Sequence, residues 1–296
     1  MITGGTGFIG RHLINALGEN VIEVHRGQPS GSIHNNIVKV ESITGKTDYK
    51  SEYFNEVDCV IHLAAIAHSS SDEMHSVNCE GAAKLAKAAA VNGVRRFIFI
   101  SSIGVNGACN SEPFKSSDAV KPEPMYAMSK YNAEIELKKI AEQSAIEVVI
   151  IRPPLVYGKH ATGNFAKLIK LANSNLPLPL GAIHNKRSFV AVDNLVSLIK
   201  TCISHPKAAN KTFLVSDDDI VSTSEFLLKL IKANNKATKL IPLPVGLLIF
   251  LSKIVGKQDQ VTKFTNSLTV DIEYTKSTLN WVPPLSLDEG VRRCFK

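Results

Sequence analysis

Two rhythms of apolar residues alternate along the first half of this chain. Short, almost unbroken apolar runs fall at residues 21–24, 59–63, 96–100 and 148–151. Rich in Val and Ile, they read as strands buried on both faces. Between them, residues 80–91 are alanine-rich and stop at Asn92-Gly93, and residues 126–143 carry a longer amphipathic spacing; both predict helices. Strands alternating with helices argue for a parallel sheet covered on both sides. Only Met1, Ile2 and Thr3 precede the first glycine, fewer than the ~5–6 residues of an ordinary strand. The first strand is therefore short, or the true start lies upstream. After Arg152-Pro153-Pro154 the texture changes: Pro177 and Pro179 cluster, and helical segments are separated by irregular ones. This predicts a sheet domain over residues 1–155 and a smaller lobe over 156–296 that sends segments back to the first. The uncharged run at 240–251 is too short for the ~20 residues of a membrane span, and Pro242 and Pro244 interrupt it. It is expected to enter a helix packed on the second lobe, the alternative being a patch that docks on a membrane or partner.

Glycines bring in the chemistry. Gly4, Gly7 and Gly10 follow the first strand and open a helical stretch. At such a turn backbone N–H groups approach a pyrophosphate, and the helix dipole adds positive potential. Tyr126 and Lys130 lie one helical turn apart, on one face. A nearby cation favours the phenolate of a tyrosine whose free pKa is about 10. Dinucleotide cradle and activated phenol together point to hydride transfer at an alcohol or ketone.

Composition narrows this only a little. Hydrophobic residues make up 44% and charged residues 21%, as in ordinary globular enzymes. The net charge of +7 and pI near 9.1 suit an anionic substrate, while no Lys/Arg block is dense enough for nucleic acid. Cys59, Cys79, Cys109, Cys202 and Cys294 are scattered and lack CxxC spacing. They read as reduced thiols in the cytoplasm, with neither a disulfide framework nor a metal site expected. No secretory leader is expected ahead of the glycine turn.

The series Gly4-x-x-Gly7-x-x-Gly10, His62-Leu63-Ala64-Ala65, Ser101-Ser102 and Tyr126-x-x-x-Lys130 resembles the extended short-chain dehydrogenases/reductases. Within them it is similar to the nucleotide-sugar epimerase/dehydratase family, along essentially the whole chain down to Leu279-Asn280-Trp281-Val282-Pro283. The resemblance implies an α/β fold: a Rossmann-like doubly wound parallel sheet that binds NAD(P), with a smaller C-terminal α+β substrate lobe. It makes Ser102, Tyr126, Lys130 and Asn78 the catalytic set. Ser102 would bond the reacting oxygen, Tyr126 would exchange its proton, and Lys130 would lower the tyrosine's pKa and hold the nicotinamide ribose. Asn78 has a second reading as a helix N-cap. Gly4, Gly7, Phe8, Ile9, Gly10, Leu63, Ala64, Ala65 and Pro153 would line the cofactor, His62 being a packed histidine. Where relatives carry Gly-Asp-Ile/Leu against adenine, this chain has Glu41-Ser42-Ile43, so Ser42 and Ile43 would take that contact. At the end of the second strand NAD-preferring members carry an acidic residue; here stand His25 and Arg26. Strand alternation is expected to turn Glu23 away from His25, leaving a basic pair that favours NADP(H) over NAD(H). Asn164 with Phe165, and Arg187, match positions that hold the nucleotide diphosphate, and Pro179 and Leu180 match the segment lying along the uracil. Asp193 reads as an N-cap and Asp217-Asp218-Asp219 as a solvated turn.

The resemblance offers three reactions at C4 of the sugar. Dehydration needs an acid–base pair after the active-site serine, but Ser102 is followed by Ile103-Gly104. A 4-epimerase keeps NAD bound and consumes none; a 4-ketoreductase draws on a pool, usually of NADPH. The His25-Arg26 pair, with the runs at 101–107 and 152–158, favours a UDP-4-keto-6-deoxy-N-acetylhexosamine 4-reductase of surface polysaccharide synthesis. A UDP-hexose 4-epimerase is the alternative, and a non-catalytic dinucleotide-binding scaffold the remote one. A homodimer through the helices at 80–91 and 126–143 completes the expectation.

Overall fold

Seven parallel strands carry the molecule. The computed structural model describes residues 1–26, 37–67, 69–254, 256 and 258–296. The strands are β1 (Ile2–Thr3), β2 (Glu23–Arg26), β3 (Ile37–Val40), β4 (Cys59–His62), β5 (Arg96–Ile100), β6 (Glu147–Arg152) and, out of chain order, the later strand Thr212–Leu214. Their spatial order is β3-β2-β1-β4-β5-β6 followed by Thr212–Leu214, every neighbouring pair parallel. Order reverses between β1 and β4, which opens a crevice at the carboxyl ends of those two strands. This is the doubly wound Rossmann-like sheet.

Pleating explains why the strands read as unbroken apolar runs. Ile98, Ile100, Val149 and Ile151 face one layer; Phe97, Phe99, Val148 and Ile150 face the other. The first layer holds helices α1 (Phe8–Leu17) and, later in the chain, Val192–Ser204; the second holds the helices at 71–91 and 125–142. The helix expected from residue 80 begins earlier. α2 (Ser71–His75) runs through a π-helical turn, Ser76–Glu80, directly into α3 (Gly81–Val91). Ser70 caps it by accepting from Glu73 N. α4 (Met125–Glu142) follows β5.

Past β6 the chain builds a second sheet. β7 (Leu155–Tyr157) lies parallel to β8 (Arg187–Ala191), which pairs antiparallel with Ile220–Val221. In chain order β9 is Thr212–Leu214 and β10 is Ile220–Val221. The helices here are α5 (Gly163–Ala172), α6 (Val192–Ser204), α7 (Thr223–Ala233), α8 (Val245–Ile254), α9 (Gln258–Thr265), α10 (Glu273–Leu279) and α11 (Leu287–Arg293). A separate core joins the second sheet to α5, α7 and α11, with Phe189 and Phe226 stacked at 3.9 Å between ring centroids, while α6 and α10 pack in the core of the large sheet. β9 returns to the large sheet beside β6, and Trp281 donates from Nε1 to Ser197 Oγ at 3.1 Å. Among the described residues no helix is long and apolar enough to cross a membrane.

Candidate functional site

The glycine turn sits at the sheet's switch point because no side chain would fit there. A Cβ on Gly10 would stand 2.2 Å from Gly4 O, and one on Gly4 would stand 2.8 Å from Ala64 N. Gly4 also has φ +75, a conformation only glycine adopts freely. α1 starts at Phe8 with no side-chain cap and no acidic residue in its first turn. Its leading N–H groups and dipole are thus left for an anion. Thr3 Oγ1 lies 2.8 Å from His62 Nδ1 and accepts from Ala64 N at 3.4 Å, which pins the β4 end across the turn. His62 is packed as expected: buried, stacked on Phe97 and Phe99, with its pKa pulled down to about 3 by burial. Leu63 and Ala64 beyond it are half-buried and Ala65 is exposed. These residues fit a dinucleotide: a capless helix start, closely approached glycines, and small residues opposite.

The end of β2 departs from expectation. Residues two apart on a strand share a face, so Glu23 is not turned away. Its carboxylate meets His25 Nε2 at 2.9 Å, both side chains buried, and faces the site of a Gly5 Cβ at 3.1 Å. The expected basic pair is therefore reduced to one exposed arginine, Arg26, with an acid beneath the glycine turn. Beside it, Ser42 and Ile43 lie in a loop folded on itself: Thr47 Oγ1 donates to Ser42 O at 2.7 Å. Ile43 is buried in the core, so its side chain is not offered to a ligand. Gly81 lets this loop approach, since a Cβ there would be 2.7 Å from Ile43 O.

Ser102, Asn78, Tyr126 and Lys130 are brought together by α4 and its neighbours. Ser102 caps a short 3₁₀ turn, its Oγ accepting from Gly104 N at 3.1 Å, which leaves its own O–H free to donate. Gly104 stands against α4: a Cβ there would be 3.1 Å from Ala127 Cβ. Asn78 is no N-cap. Buried in the π-helical turn, it donates to Ile66 O and Ser129 Oγ and accepts from Ile66 N. Ser129 in turn donates to Tyr126 O at 2.8 Å. Asn78 thus links the β4 loop to the turn bearing Tyr126.

Lys130 does not lower the tyrosine's pKa in this structure. Its Nζ donates to Ile100 O at 2.9 Å and lies 4.5 Å from the Phe99 ring centre. Burial pulls its pKa down to about 7, with Glu134 opposing. Burial alone acts on Tyr126, pushing it up to about 12. With only the protein's own groups present, then, the phenol is a proton donor and the amine is poised near neutrality.

Sequence reading missed the ties behind this set. Arg152, at the end of β6, donates through Nε and Nη2 to Glu134, and through Nη1 to Asn106 Oδ1. Ser101 donates to the same Glu134 at 2.5 Å. Glu134 lies one turn beyond Lys130, a spacing that could have flagged it. Pro153, expected at the cofactor, is buried, and its carbonyl accepts from Ile103 N at 3.0 Å. It holds the Ser102 turn.

The residues expected at the substrate nucleotide lie in the second lobe. Asn164 is exposed in the first turn of α5. Phe165 beside it is core, 5.7 Å from Tyr157 between ring centres, so only its backbone faces outward chemistry. Pro179 is exposed, and the half-buried Leu180 accepts from Ser224 Oγ. Arg187 is partly committed: Nη1 donates to Lys263 O at 2.8 Å and Asn266 O at 3.2 Å, and burial lowers its pKa. The two lobes touch at Gly158, where a Cβ would come within 3.2 Å of the Phe8 ring. Asp193 is not an N-cap; Ala191 holds that position, and Asp193 pairs with Arg293 at 3.0 Å. Of the aspartate run, Asp218 and Asp219 are exposed, but Asp217 is buried.

Comparison with known proteins agrees with this geometry. Residues 1–216 match the model of the NAD dependent epimerase/dehydratase family. A Vibrio cholerae protein named UDP-glucose 4-epimerase is 42% identical over 99% of this chain and 93% of its own length. A dTDP-4-dehydro-6-deoxyglucose reductase from Escherichia coli is 24% identical over 100% of this chain and 96% of its own. Among solved structures, UDP-N-acetylglucosamine 4-epimerase from Bacillus cereus superposes with a TM-score of 0.81 at 19% identity, covering 99% of this chain and 96% of that one. UDP-glucuronic acid 4-epimerase from the same organism, in complex with NAD, gives 0.78 at 20%, covering 99% and 94%. With a doubly wound sheet, a glycine cradle and these relatives, the chain belongs to the NAD-dependent epimerase/dehydratase family of nucleotide-sugar enzymes.

Proposed function

We propose that the protein is a UDP-hexose 4-epimerase working on retained NAD in the cytoplasm, with residues 156–296 mainly holding the sugar nucleotide. The observation that carries this is the 42% identity to the Vibrio cholerae UDP-glucose 4-epimerase, spanning almost the full length of both chains. Glu23 supports it, since a carboxylate beneath the glycine turn disfavours a 2′-phosphate. When bound, the dinucleotide supplies the acceptor and donor of a hydride at C4. The chain would do the rest. The α1 N-terminus and Gly7 would hold the pyrophosphate, and the β2 end would take the adenosine ribose. Ser102 would donate to the C4 oxygen, and Tyr126, as the phenolate that a protonated Lys130 and the bound dinucleotide would favour, would take that oxygen's proton and give it back. Lys130 would hold the nicotinamide ribose, and Asn78 keeps the turn below Tyr126 in place. Arg187 uses its remaining nitrogens on the diphosphate, beside Asn164 and the backbone of Phe165. A homodimer through α3 and α4 belongs to the same reading.

The ketoreductase reading rests on Arg26, exposed where a 2′-phosphate would lie. Purified protein separates the two. The epimerase should equilibrate UDP-glucose or UDP-N-acetylglucosamine with the C4 epimer without added cofactor, and Tyr126→Phe should lower that rate by about 10²–10⁴-fold. Oxidation of added NADPH by a UDP-4-keto-6-deoxy sugar, with no epimer formed from either UDP-sugar, would transfer the assignment to the reductase.

A further inference from the structure

Helix α8 was expected to pack on the second lobe, yet one side of it is bare. Leu247, Phe250, Leu251 and Ile254 are 45, 60, 46 and 69% exposed. Their spacing of i, i+3, i+4 and i+7 sets all four on one face. The opposite side is anchored, for Leu248 and Ser252 are buried. The stripe is therefore a presented surface on a seated helix. Ile241, in the segment before the helix, is 48% exposed.

Charge identifies what would cover it. Residues 236–266 contain five lysines and a single acid, Asp259. Lys236, Lys239, Lys253 and Lys263 are exposed, and none forms an ion pair among the described residues. A second copy bringing the same patch would set these cations against each other. An anionic lipid surface meets both features: apolar side chains enter the boundary between headgroups and acyl chains, while lysines reach acidic headgroups. We propose that α8 docks the protein on an anionic bilayer. α9 packs on α8, and Lys263 O and Asn266 O, at and just past its end, are the acceptors of Arg187. The docked helix is thus one element away from an arginine of the candidate substrate site.

Co-sedimentation of the full chain with vesicles tests this. With vesicles containing phosphatidylglycerol, binding is expected, several-fold weaker at high salt and weak on pure phosphatidylcholine. Phe250→Glu with Leu251→Glu should cut the bound fraction by on the order of tenfold at unchanged thermal stability and epimerase rate. Lys253→Glu with Lys263→Glu should weaken only the anionic binding. Failure to sediment with either vesicle overturns the proposal. So does a lipid-free dimer that Phe250→Glu dissociates, because the stripe would then be an interface between copies.

Discussion

Lys130 is the costliest side chain of the candidate site. Its amine is buried, with one carbonyl and an aromatic face for company, and its pKa falls from 10.5 to about 7. Between about pH 7 and 10.5 the unfolded chain holds a proton here that the folded protein has released. Over that window this group makes stability climb with pH, and below pH 7 its burial cost is fully present. Lys130→Met should therefore stabilise the protein at pH 7 by about 1–2 kcal/mol and flatten the climb, while removing turnover. Urea titrations of both forms at pH 7 and 9.5 measure it; a less stable variant at pH 7 would mean that the Ile100 bond outweighs desolvation. The Tyr126–Lys130 pair itself was legible because it is a spacing on one helix. The direction of its pKa shifts was not, because burial and the Ile100 carbonyl depend on strands thirty residues away. Glu23 was misread for a simpler reason: strand geometry places it beside His25, and the acid, not the base, lies under the glycine turn.

At the scale of elements, α4 is held to the sheet by charge as well as by packing. Glu134 takes both arms of Arg152 and the Ser101 hydroxyl, so the ends of β5 and β6 and the middle of α4 share one buried cluster. Removing one partner leaves the other buried and unpaired. Glu134→Gln should cost about 3 kcal/mol, whereas Glu134→Leu with Arg152→Leu should cost less than either single change. Denaturant midpoints of the three variants test this coupling, and simple additivity would refute it. α4, β4, β5 and β6 were readable from the chain because long periodic runs carry their own signal. The second sheet was not, for β7, β8 and β10 are three, five and two residues long and take their pairing from distant segments. The π-helical turn was hidden too, because Asn78 fits there only once Ile66 and Ser129 are in place. α8 showed its apolar content in sequence, but which side the fold would leave bare depends on the lobe beneath it.

Over the whole molecule the two sheets are joined through Asp217. It accepts from Tyr157 Oη of β7 at 2.6 Å, from Ala191 N of β8 at 2.8 Å and from Asn194 Nδ2 of α6 at 2.6 Å. Asn194 exchanges two further bonds with Leu285, so the segment leading into α11 is gathered at the same point. Burial raises the Asp217 pKa from 3.8 to about 6, although all three hydrogen bonds pull it down. Between these values the folded protein holds a proton that the unfolded chain has lost. The group's favourable contribution is then complete below about pH 3.8 and lost as pH rises through 6. Asn can serve the junction without charge: its oxygen keeps Ala191 and Asn194, its amide donates to Tyr157 Oη, and the phenolic proton turns to Leu287 O, 3.2 Å away. Asp217→Asn should accordingly match or exceed wild-type stability at pH 7 and lack the wild type's change between pH 4 and 6. Asp217→Ala strands three donors and should cost about 3 kcal/mol at either pH. Thermal melts at pH 4.5 and 7 separate the two substitutions. Were Asn as damaging as Ala at pH 7, the carboxylate's charge, rather than its oxygens, would be what joins the lobes.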